Sequence, residues 1–414
     1  MILTCEKLME FNLLETVEKT LPTDKILNFF TLWSEINNID QFIKDSPSYP
    51  GSNDKIIRNE LINVVGSTLS IEGTILNEQE IEESFKKAEE GKPLQRKEQE
   101  AENSRKVYEF IKEYVVSYKD DFKYSETVIQ QIHKYLTEGM NYLSNVPGQY
   151  RSNFITTFGE PRKPGLCRTQ SEIEEAMRYL MKWLNTKSEG MISQNIFVKA
   201  IMAHYYLTEI HPFGDGNGRT ARALEALVLN ANGVNDYCFW SLANFWSLHK
   251  NQYLDHLHNI RMTLDPTNFI IWGLEGYRDE IKRLKGKVLK KVRQLMLSDY
   301  VHYLLRNKGR EKIKINQRIV DIIQLLLSKD KILLSKFLTS PELTALYRNC
   351  SQSTRSRDFG KMVMADLIKV GKSNGAEDFI GPNYQILERV SIGMKSVPFM
   401  GIEKCTTRNQ NGTS

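Results

Sequence analysis

The sequence predicts a mainly α-helical fold that contains one short β-hairpin and ends in a small second unit. Apolar residues recur every three or four positions through most of the 414 residues, which is the spacing of one helix face. A short β-prone run at residues 154–159 is followed by two prolines, which predicts a hairpin. A basic stretch at residues 282–293 precedes a new set of helical patterns that starts at about Ile315. These observations indicate a helical body, a hairpin and a separate C-terminal unit.

Composition places the chain among ordinary globular proteins. Hydrophobic residues make up 41% and charged residues 26%, and a net charge of +5 is too small to indicate a nucleic-acid binder by itself. The five cysteines are scattered without a Cys-x-x-Cys pair, so neither a disulfide framework nor a zinc site is predicted. The chain starts without a signal-peptide pattern, and no apolar run approaches membrane-spanning length. We therefore expect a cytoplasmic protein with no membrane partner.

The helical patterns follow one another with loop residues between them. Residues 1–50 carry apolar residues that would pack short helices onto a larger body. Gly73 is suited to cap one later helix and Pro212 to stop another. The later patterns cover Asp54–Glu72, residues 77–118, Val128–Leu136, Ile173–Trp183, Ile196–Ile210 and Thr220–Val228.

Residues 211–222, with the sequence His-Pro-Phe-Gly-Asp-Gly-Asn-Gly-Arg-Thr-Ala-Arg, join the last two of these helices. Gly214, Gly216 and Gly218 let the backbone turn sharply and point successive N–H groups into one concavity. The N-terminus of the helix that follows also favours negative charge. The segment therefore predicts a phosphate-binding turn.

The polar side chains of this segment suit a reaction at phosphate. His211 has an ordinary pKa near neutrality and suits a general base for a hydroxyl nucleophile. Asp215 supplies a hard oxygen of the kind that Mg²⁺ uses when phosphate oxygens complete its coordination. Arg219 and Arg222 lie three apart on one helix face and offer fork-shaped donors to phosphoryl oxygens, and Asn217 could donate to another. A Gly-rich connector with surface side chains is the alternative interpretation.

The segment resembles the signature of the Fic family, His-Pro-Phe-x-(Asp/Glu)-Gly-Asn-Gly-Arg-x-x-Arg, at every fixed position. The resemblance implies a helical Fic core that transfers AMP from ATP to a Tyr, Thr or Ser hydroxyl of a protein, with Mg²⁺ as cofactor. It implies that His211 is the catalytic base and that Asp215 is the metal ligand. It assigns nucleotide binding to the turn and the helix start: Gly216, Asn217, Gly218, Arg219, Thr220, Ala221 and Arg222.

The segment from Thr68 to Gly73 resembles the inhibitory motif of Fic proteins, (Ser/Thr)-x-x-x-Glu-(Gly/Asn). Glu72 ends a predicted helix, where the dipole disfavours a carboxylate unless a cation such as Arg222 is close. In family members with this motif upstream of the catalytic segment, the glutamate holds the second motif arginine and keeps the ATP γ-phosphate from binding productively. The resemblance implies that Thr68, Glu72 and Gly73 inhibit the enzyme, and an exposed helix-end Glu is the alternative.

Two further resemblances concern substrates. Residues 147–151 resemble the start of the Fic flap, an exposed hairpin with which family members hold a target segment by strand addition. This implies that a hydroxyl-bearing target protein docks near residues 148–165, and an ordinary surface hairpin is the alternative. Tyr253 and Leu254 stand where members often carry a Tyr-Tyr pair near adenine. Because the leucine departs from that pattern, adenine contact and plain core packing are equal alternatives.

Residues 315–390 resemble a winged helix-turn-helix, which is commonly appended to Fic proteins of this layout. The third helical pattern would place Arg355 and Arg357 toward a DNA groove. Asp358 and Asp366 weigh against DNA, and contact with proteins is the alternative. The patterns cover Ile319–Leu327, Lys336–Leu346 and Ser353–Val370, followed by a turn at residues 371–375 and a strand at Tyr384–Leu387.

The expected domain order follows from these parts. It consists of an N-terminal helical region with the inhibitory helix (1–100), the Fic catalytic core (101–280), a basic linker helix (281–314), the winged-helix domain (315–390) and a polar tail (391–414). Two alternatives to an autoinhibited protein adenylyltransferase stay open. One is a Fic-type enzyme that transfers another nucleotide or removes AMP, and the other is a DNA-binding regulator with a nucleotide-sensing Fic core. A homodimer is compatible with each.

Overall fold

The computed structural model of the chain describes residues 3–46, 52–142, 145–152, 166–235, 241–306, 316–372 and 378–391. Within these ranges the chain is mainly helical, as predicted, and it divides into unit 1 (Met1–Val288) and unit 2 (Leu289–Ser414). The division falls inside a helix of 40 residues. None of the described helices combines the length and the apolar character that crossing a membrane requires.

Unit 1 holds the N-terminal region and the segment 211–222 in one compact body. Its helices, the last of which continues into unit 2, are α1 (Cys5–Met9), α2 (Leu13–Thr20), α3 (Thr23–Asp45), α4 (Ser52–Ile71), α5 (Glu78–Glu89), α6 (Arg96–Tyr118), α7 (Glu126–Thr137), α8 (Gln170–Asn185), α9 (Ile196–Ile210), α10 (Asn217–Ala231), α11 (Leu242–Leu248), α12 (Lys250–Thr263) and α13 (Thr267–Arg306).

Helices α9 and α10 form the buried centre of unit 1. The side-chain oxygen of Asn195 begins α9 by accepting hydrogen bonds from the N–H groups of Phe197 and Val198, at 3.0 and 3.2 Å. Almost every residue of both helices is buried, so neither presents a broad polar face to solvent. Each fully buried leucine or isoleucine contributes roughly 2 kcal/mol to the free energy of unfolding. The loop between the two helices is therefore anchored at both ends.

Helix α4 is fixed to the same unit by buried charges. The carboxylate of Glu60 is fully buried and pairs with Arg283 at 2.5 Å and with Lys287 at 2.6 Å. Burial alone would raise the pKa of this carboxyl, but the two cations outweigh burial and lower the pKa below its usual value. Closer to the end of α4, the Ser67 hydroxyl donates to the side-chain oxygen of Asn244 at 3.1 Å. These contacts position the end of α4, where Glu72 follows.

Unit 2 combines short helices with a three-stranded antiparallel sheet. The strand order is β1-β3-β2, and Ile380 in the central strand faces Ile332 on one side and Val370 on the other. Its elements, after the second part of α13, are α14 (Gln317–Lys329), β1 (Ile332–Leu333), α15 (Leu334–Leu338), α16 (Pro341–Leu346), α17 (Gln352–Met364), β2 (Ile368–Lys372), β3 (Asp378–Pro382) and α18 (Gln385–Ser391).

Three predicted boundaries in unit 2 are wrong. The pattern over Lys336–Leu346 is two helices, because Ser340 accepts a hydrogen bond from the Leu343 N–H and Pro341 begins a new helix. The helix predicted to reach Val370 ends at Met364, and the chain then enters β2. The strand predicted at residues 384–387 lies earlier, at β3, and residues 385–391 are helical.

Some predicted features lie outside the described residues. They include the β-run at residues 154–159 and the tail beyond Ser391.

Candidate active site

His211 ends α9 in a conformation that few residues other than glycine adopt. Its φ and ψ are 51° and 59°, in the left-handed region, and its N–H donates to the Leu207 carbonyl at 3.0 Å. Arg151 stabilises this bend from outside the helix. Its Nε donates to the His211 carbonyl at 2.7 Å, and its backbone N–H donates to the Pro212 carbonyl at 2.9 Å. Strained backbone held by its surroundings is a frequent feature of active sites.

The environment of His211 keeps its imidazole neutral. Burial disfavours the charged form, the nearby Arg151 guanidinium adds to this, and together they lower the pKa of His211 to about 4. At neutral pH the ring is therefore unprotonated and able to accept a proton. This is the state that the predicted general base requires.

Gly216 turns the chain from the loop into α10. It has a φ of 74°, and a Cβ at this position would lie 3.1 Å from the Thr137 side chain, so both backbone and space favour glycine. The side chain of Asn217 closes the turn: its oxygen accepts from the Phe213 N–H and its nitrogen donates to the Phe213 carbonyl, both at 2.9 Å. One N–H of this amide is therefore used inside the loop, and the predicted donation to a phosphate oxygen depends on the other.

Asp215 lies at the edge of this turn with its carboxylate 43% exposed. One oxygen, Oδ1, accepts from the Gly216 N–H at 2.5 Å and from the Arg219 Nη2 at 2.9 Å. Among the residues that the structure describes, no three carboxylate, histidine or cysteine side chains cluster to hold a metal ion by themselves. Mg²⁺ commonly binds through one or two carboxylates plus phosphate oxygens, so a single exposed aspartate beside an anion site fits this ion.

Arg222 is buried in a contact with α4 that we call the α4 contact (Thr68, Glu72 and Arg222). Its Nε donates to the Thr68 hydroxyl at 2.7 Å, and its Nη2 donates to the Thr68 carbonyl at 3.2 Å and to the Glu72 carboxylate at 2.5 Å. The guanidinium is 1% exposed, while the Glu72 side chain is 38% exposed. Gly73 then leaves the helix with a φ of 94°, as its predicted capping role requires.

The Glu72 carboxylate lies over the N-terminus of α10. A Cβ at Gly218, the second residue of α10, would collide with the Oε1 of Glu72, so the glycine makes this close approach possible. Loss of hydration opposes the charge on Glu72, but Arg222 and Arg219 outweigh this and lower the pKa of the carboxyl below its usual value. Glu72 is therefore an anion placed where a helix N-terminus favours one.

The loop itself is held by what we call the α7 contact (His133, Gly148, Phe213 and Asp215). The His133 ring stacks on Phe213, with centroids 3.7 Å apart and planes within 6°. Its Nδ1 accepts from the Gly148 N–H at 3.0 Å, so its Nε2 carries the proton and donates to the Asp215 carbonyl at 3.0 Å. Burial lowers the pKa of His133 to about 4, which keeps this neutral form. His133 thus ties α7 to the loop, a link that no local sequence pattern indicates.

A chain of hydrogen bonds that the sequence did not suggest joins the segment after Glu72 to Arg219. The Thr74 hydroxyl donates to one oxygen of Glu100 at 2.6 Å, and the Tyr142 hydroxyl donates to the other at 2.9 Å. Arg219 Nη1 donates to the Tyr142 oxygen at 3.0 Å and lies over the Tyr142 ring, 5.2 Å from its centroid. Tyr142 and Glu100 lack a recognisable spacing to the loop, so only the fold brings them together.

Four of the predicted nucleotide-binding side chains face the interior or pack against it. Thr220 and Ala221 are fully buried, and the Thr220 hydroxyl donates to the Gly216 carbonyl at 2.9 Å. Tyr253 is buried against Trp246, its hydroxyl lies 2.8 Å from His204 Nε2, and Leu254 is partly buried against the same core. Of the two alternatives for Tyr253, the structure favours core packing. His204 itself is fully buried.

Comparison with known proteins finds similarity to one family over part of the chain. Residues 123–229 match the model of the Fic/DOC family. The chain is 34% identical over 136 residues to a probable protein adenylyltransferase of Aquifex aeolicus. The aligned residues make up 33% of this chain and 36% of that protein. The chain is 32% identical over 111 residues to the protein adenylyltransferase Fic of Aedes aegypti. This alignment includes 27% of this chain and 19% of that protein. The chain thus spans about a third or less of the length of these curated relatives.

Solved structures share the fold over a longer stretch. A Fic family protein from Desulfovibrio desulfuricans has a TM-score of 0.52 at 18% identity and covers 87% of this chain and 96% of its own. Fic-1 of Caenorhabditis elegans has a TM-score of 0.51 at 19% identity and covers 68% of this chain and 80% of its own. At 18% and 19% sequence identity, these similarities show a shared fold and nothing more.

Proposed function

We infer that the Fic/DOC family domain carried by residues 123–229 is the catalytic part of a protein adenylyltransferase. The enzyme would transfer AMP from ATP to a Tyr, Thr or Ser hydroxyl of a target protein. One observation carries the proposal: the short loop between α9 and α10 has the neutral imidazole of His211 at its start and, at its end, Asp215 and a helix whose first turns carry Arg219 and Arg222. The activity in the names of the two relatives agrees with this arrangement.

The reaction follows from the residues of the loop. His211 accepts the proton of the target hydroxyl, whose oxygen attacks the α-phosphorus of ATP. The bond between the α-phosphorus and the bridging oxygen breaks, and pyrophosphate leaves. Backbone N–H groups at the start of α10 and the Arg219 guanidinium stabilise the charge that develops on the phosphoryl oxygens. Mg²⁺ bound by Asp215 and phosphate oxygens would neutralise charge on the leaving pyrophosphate.

We propose that Glu72 inhibits this reaction. Its carboxylate occupies the anion-favouring end of α10 and engages Arg222, which the γ-phosphate of ATP would otherwise contact. ATP could still bind, but its phosphates would not take the productive position. Thr68 supports inhibition by holding the Arg222 Nε.

The experiment that tests the function follows which phosphorus stays on the protein. Glu72→Gly protein is incubated with Mg²⁺ and ATP labelled at either the α- or the γ-phosphorus, with lysate proteins as targets. We expect the α-label alone to become protein-bound, and Glu72→Gly/His211→Ala, the matched control, to lose it. Retention of the γ-label would indicate a kinase-like reaction and contradict the proposal. Equal labelling from UTP, GTP or CTP would favour a transferase of another nucleotide, and removal of AMP from a labelled target would favour the reverse activity.

We propose that unit 2 is a winged helix-turn-helix, with α17 as the helix that would face DNA and β2–β3 as the wing. Arg357 is exposed and free to face a partner, while Arg355 donates to the Leu338 carbonyl at 2.8 Å within the unit. DNA contact would therefore depend on Arg357 more than on Arg355. A mobility shift of the full chain that weakens steeply with salt would support DNA binding, and a shift unchanged by Arg357→Ala would contradict this role.

The proposal also includes a target protein and a second copy of the chain as partners. The target protein is expected to dock on the flap near residues 148–165, and a second copy of the chain could itself be a target or form a homodimer. A cytoplasmic site of action is expected from the cysteine usage.

A further inference from the structure

Two cysteines that are 162 positions apart in the sequence meet in unit 1. The sulfur atoms of Cys5 and Cys167 lie 2.6 Å apart. A disulfide bond has an S–S length of about 2.05 Å, so the two sulfur atoms would need to approach by only about half an ångström to form one. Nothing in the spacing of the five cysteines predicts this meeting.

Both cysteines sit on anchored backbone. Cys167 is fully buried, its carbonyl accepts from the Arg151 Nη2 at 2.6 Å, and the preceding residue, Leu166, donates its N–H to the Glu209 carbonyl at 3.0 Å. Cys5 is partly buried and begins α1, and Leu3 before it donates its N–H to the Arg261 carbonyl at 2.8 Å. The thiols are therefore held together by the fold of unit 1.

We propose that Cys5 and Cys167 form a redox-active dithiol pair, a covalent modification site that a peroxide converts into an intramolecular disulfide. This site is separate from the adenylyl-transfer chemistry and does not depend on it.

The chemistry balances with hydrogen peroxide as the oxidant. The Cys5 thiolate attacks one peroxide oxygen, the O–O bond breaks, and the hydroxide that leaves takes up a proton to become water. The Cys167 sulfur then attacks the sulfenic acid on Cys5, its proton goes to the departing oxygen, and a second water leaves. Two thiols lose two electrons and two protons, and one peroxide is reduced to two waters.

The surroundings give the two thiols different parts in this sequence. The hydrogen bond with the Cys167 thiol lowers the pKa of Cys5, while burial and nearby glutamates oppose this effect. The Cys5 sulfur and burial raise the pKa of Cys167. Cys5 is thus the first thiolate, and it is also the more exposed sulfur. Once Cys5 is an uncharged sulfenic acid, the charge that suppresses ionisation of Cys167 is gone, and Arg151 favours the thiolate of Cys167.

The bond would join the N-terminal segment to the backbone that Arg151 connects to His211. Closing a loop of this length restricts the unfolded chain strongly, so oxidation should raise the melting temperature. The disulfide therefore has two independent readouts, one chemical and one thermal.

The test uses the full chain, reduced, desalted and then treated with a stoichiometric amount of hydrogen peroxide. Free thiols are alkylated, the protein is digested, and cross-linked peptides are identified by mass spectrometry. We expect a Cys5–Cys167 peptide that disappears with dithiothreitol, a loss of two hydrogen atoms in the intact mass, and a higher melting temperature. Cys350→Ser, which alters a partly buried thiol in unit 2, is the matched control and should behave like wild type.

Several outcomes would overturn the proposal. Alkylation of both Cys5 and Cys167 after peroxide treatment of the folded wild-type protein would do so, as would a bridge from either one to Cys350 or Cys238. Persistence of the mass loss in Cys5→Ser would exclude Cys5 as a partner. The assay contains no ATP, so its result is independent of whether the chain transfers AMP.

Discussion

The loop at residues 211–216 and the helix that follows it, α10, are each held by one contact, and the two contacts differ in character. The α7 contact uses a neutral, buried imidazole whose two nitrogens bind Gly148 and Asp215 and whose ring covers Phe213. The α4 contact uses charged groups, and one of them, Glu72, is 38% exposed. The imidazole in the first contact keeps its neutral protonation state at neutral and mildly acidic pH. The second can be broken by moving one side chain.

This difference suggests a division between shape and control. The α7 contact fixes Asp215 and the start of the proposed flap relative to each other, so catalysis and target docking should both depend on it. The α4 contact places an anion over the helix that would receive phosphate, so it should oppose turnover without shaping the loop. Loss of the first should lower the rate of transfer, and loss of the second should raise it.

Breaking the α7 contact should have the largest effect. We expect His133→Ala in the Glu72→Gly background to lower AMP incorporation by about a hundredfold, because misplacement of reacting groups by about an ångström costs this much. The measurement is the initial rate with α-labelled ATP, together with the melting temperature. His256→Ala, which removes an imidazole stacked on Trp272 elsewhere in unit 1, is the control. If the variant has a lower melting temperature but transfers AMP at the parent rate, His133 contributes to stability and not to catalysis.

Removing one hydrogen bond from the chain that joins Arg219 to Glu100 through Tyr142 should have a smaller effect. Tyr142→Phe removes the hydroxyl that joins Arg219 to Glu100 but keeps the ring under the guanidinium. A net hydrogen bond contributes about 1 kcal/mol, so the transfer rate in the Glu72→Gly background should fall about fivefold. Tyr124→Phe, which loses a hydroxyl contact to Asn232, is the matched control. Equal rates for the two variants would mean that the Tyr142 hydroxyl does not orient Arg219.

The smallest expected change is with pH. The pKa of His211 is lowered to about 4, so its neutral, proton-accepting form persists well below neutrality. For Glu72→Gly, kcat/KM should stay nearly constant from about pH 8 to about pH 5.5 and fall only as the pH approaches the lowered pKa. A profile that falls with an apparent pKa near the ordinary histidine value, about 6.5, would mean that His211 is exposed to water in the working enzyme.

The sequence predicted the parts of this site whose residues are close together in the chain. The turn at Gly216, the end of α9 at His211 and the cap at Gly73 follow from local backbone preferences, and all three are found. Glu72 was paired with Arg222 because a helix-end carboxylate needs a cation. Tyr142 and Cys5 escaped prediction, because each acquires its role from a partner many residues away, and no local pattern records such a meeting.

The same limit applies to the predicted nucleotide contacts. Asn217 has an amide suited to phosphate, and its oxygen and one of its N–H groups close the turn on Phe213. Thr220 and Ala221 follow the turn directly, yet the helical period points them into the core. Tyr253 bonds to His204 instead of standing free for adenine. Sequence spacing located the helix, and packing decided which of its side chains remain accessible.

The central claim is that Glu72 occupies the anion site of α10 and thereby restrains transfer. Its most direct test is the rate of AMP incorporation from α-labelled ATP by wild type and by Glu72→Gly, measured side by side at neutral pH. A charged hydrogen bond of this kind, partly exposed to water, should restrain the rate by about tenfold, so the variant should be faster by that factor or more. Equal rates for the two proteins would contradict the claim and leave Glu72 as an ordinary helix end.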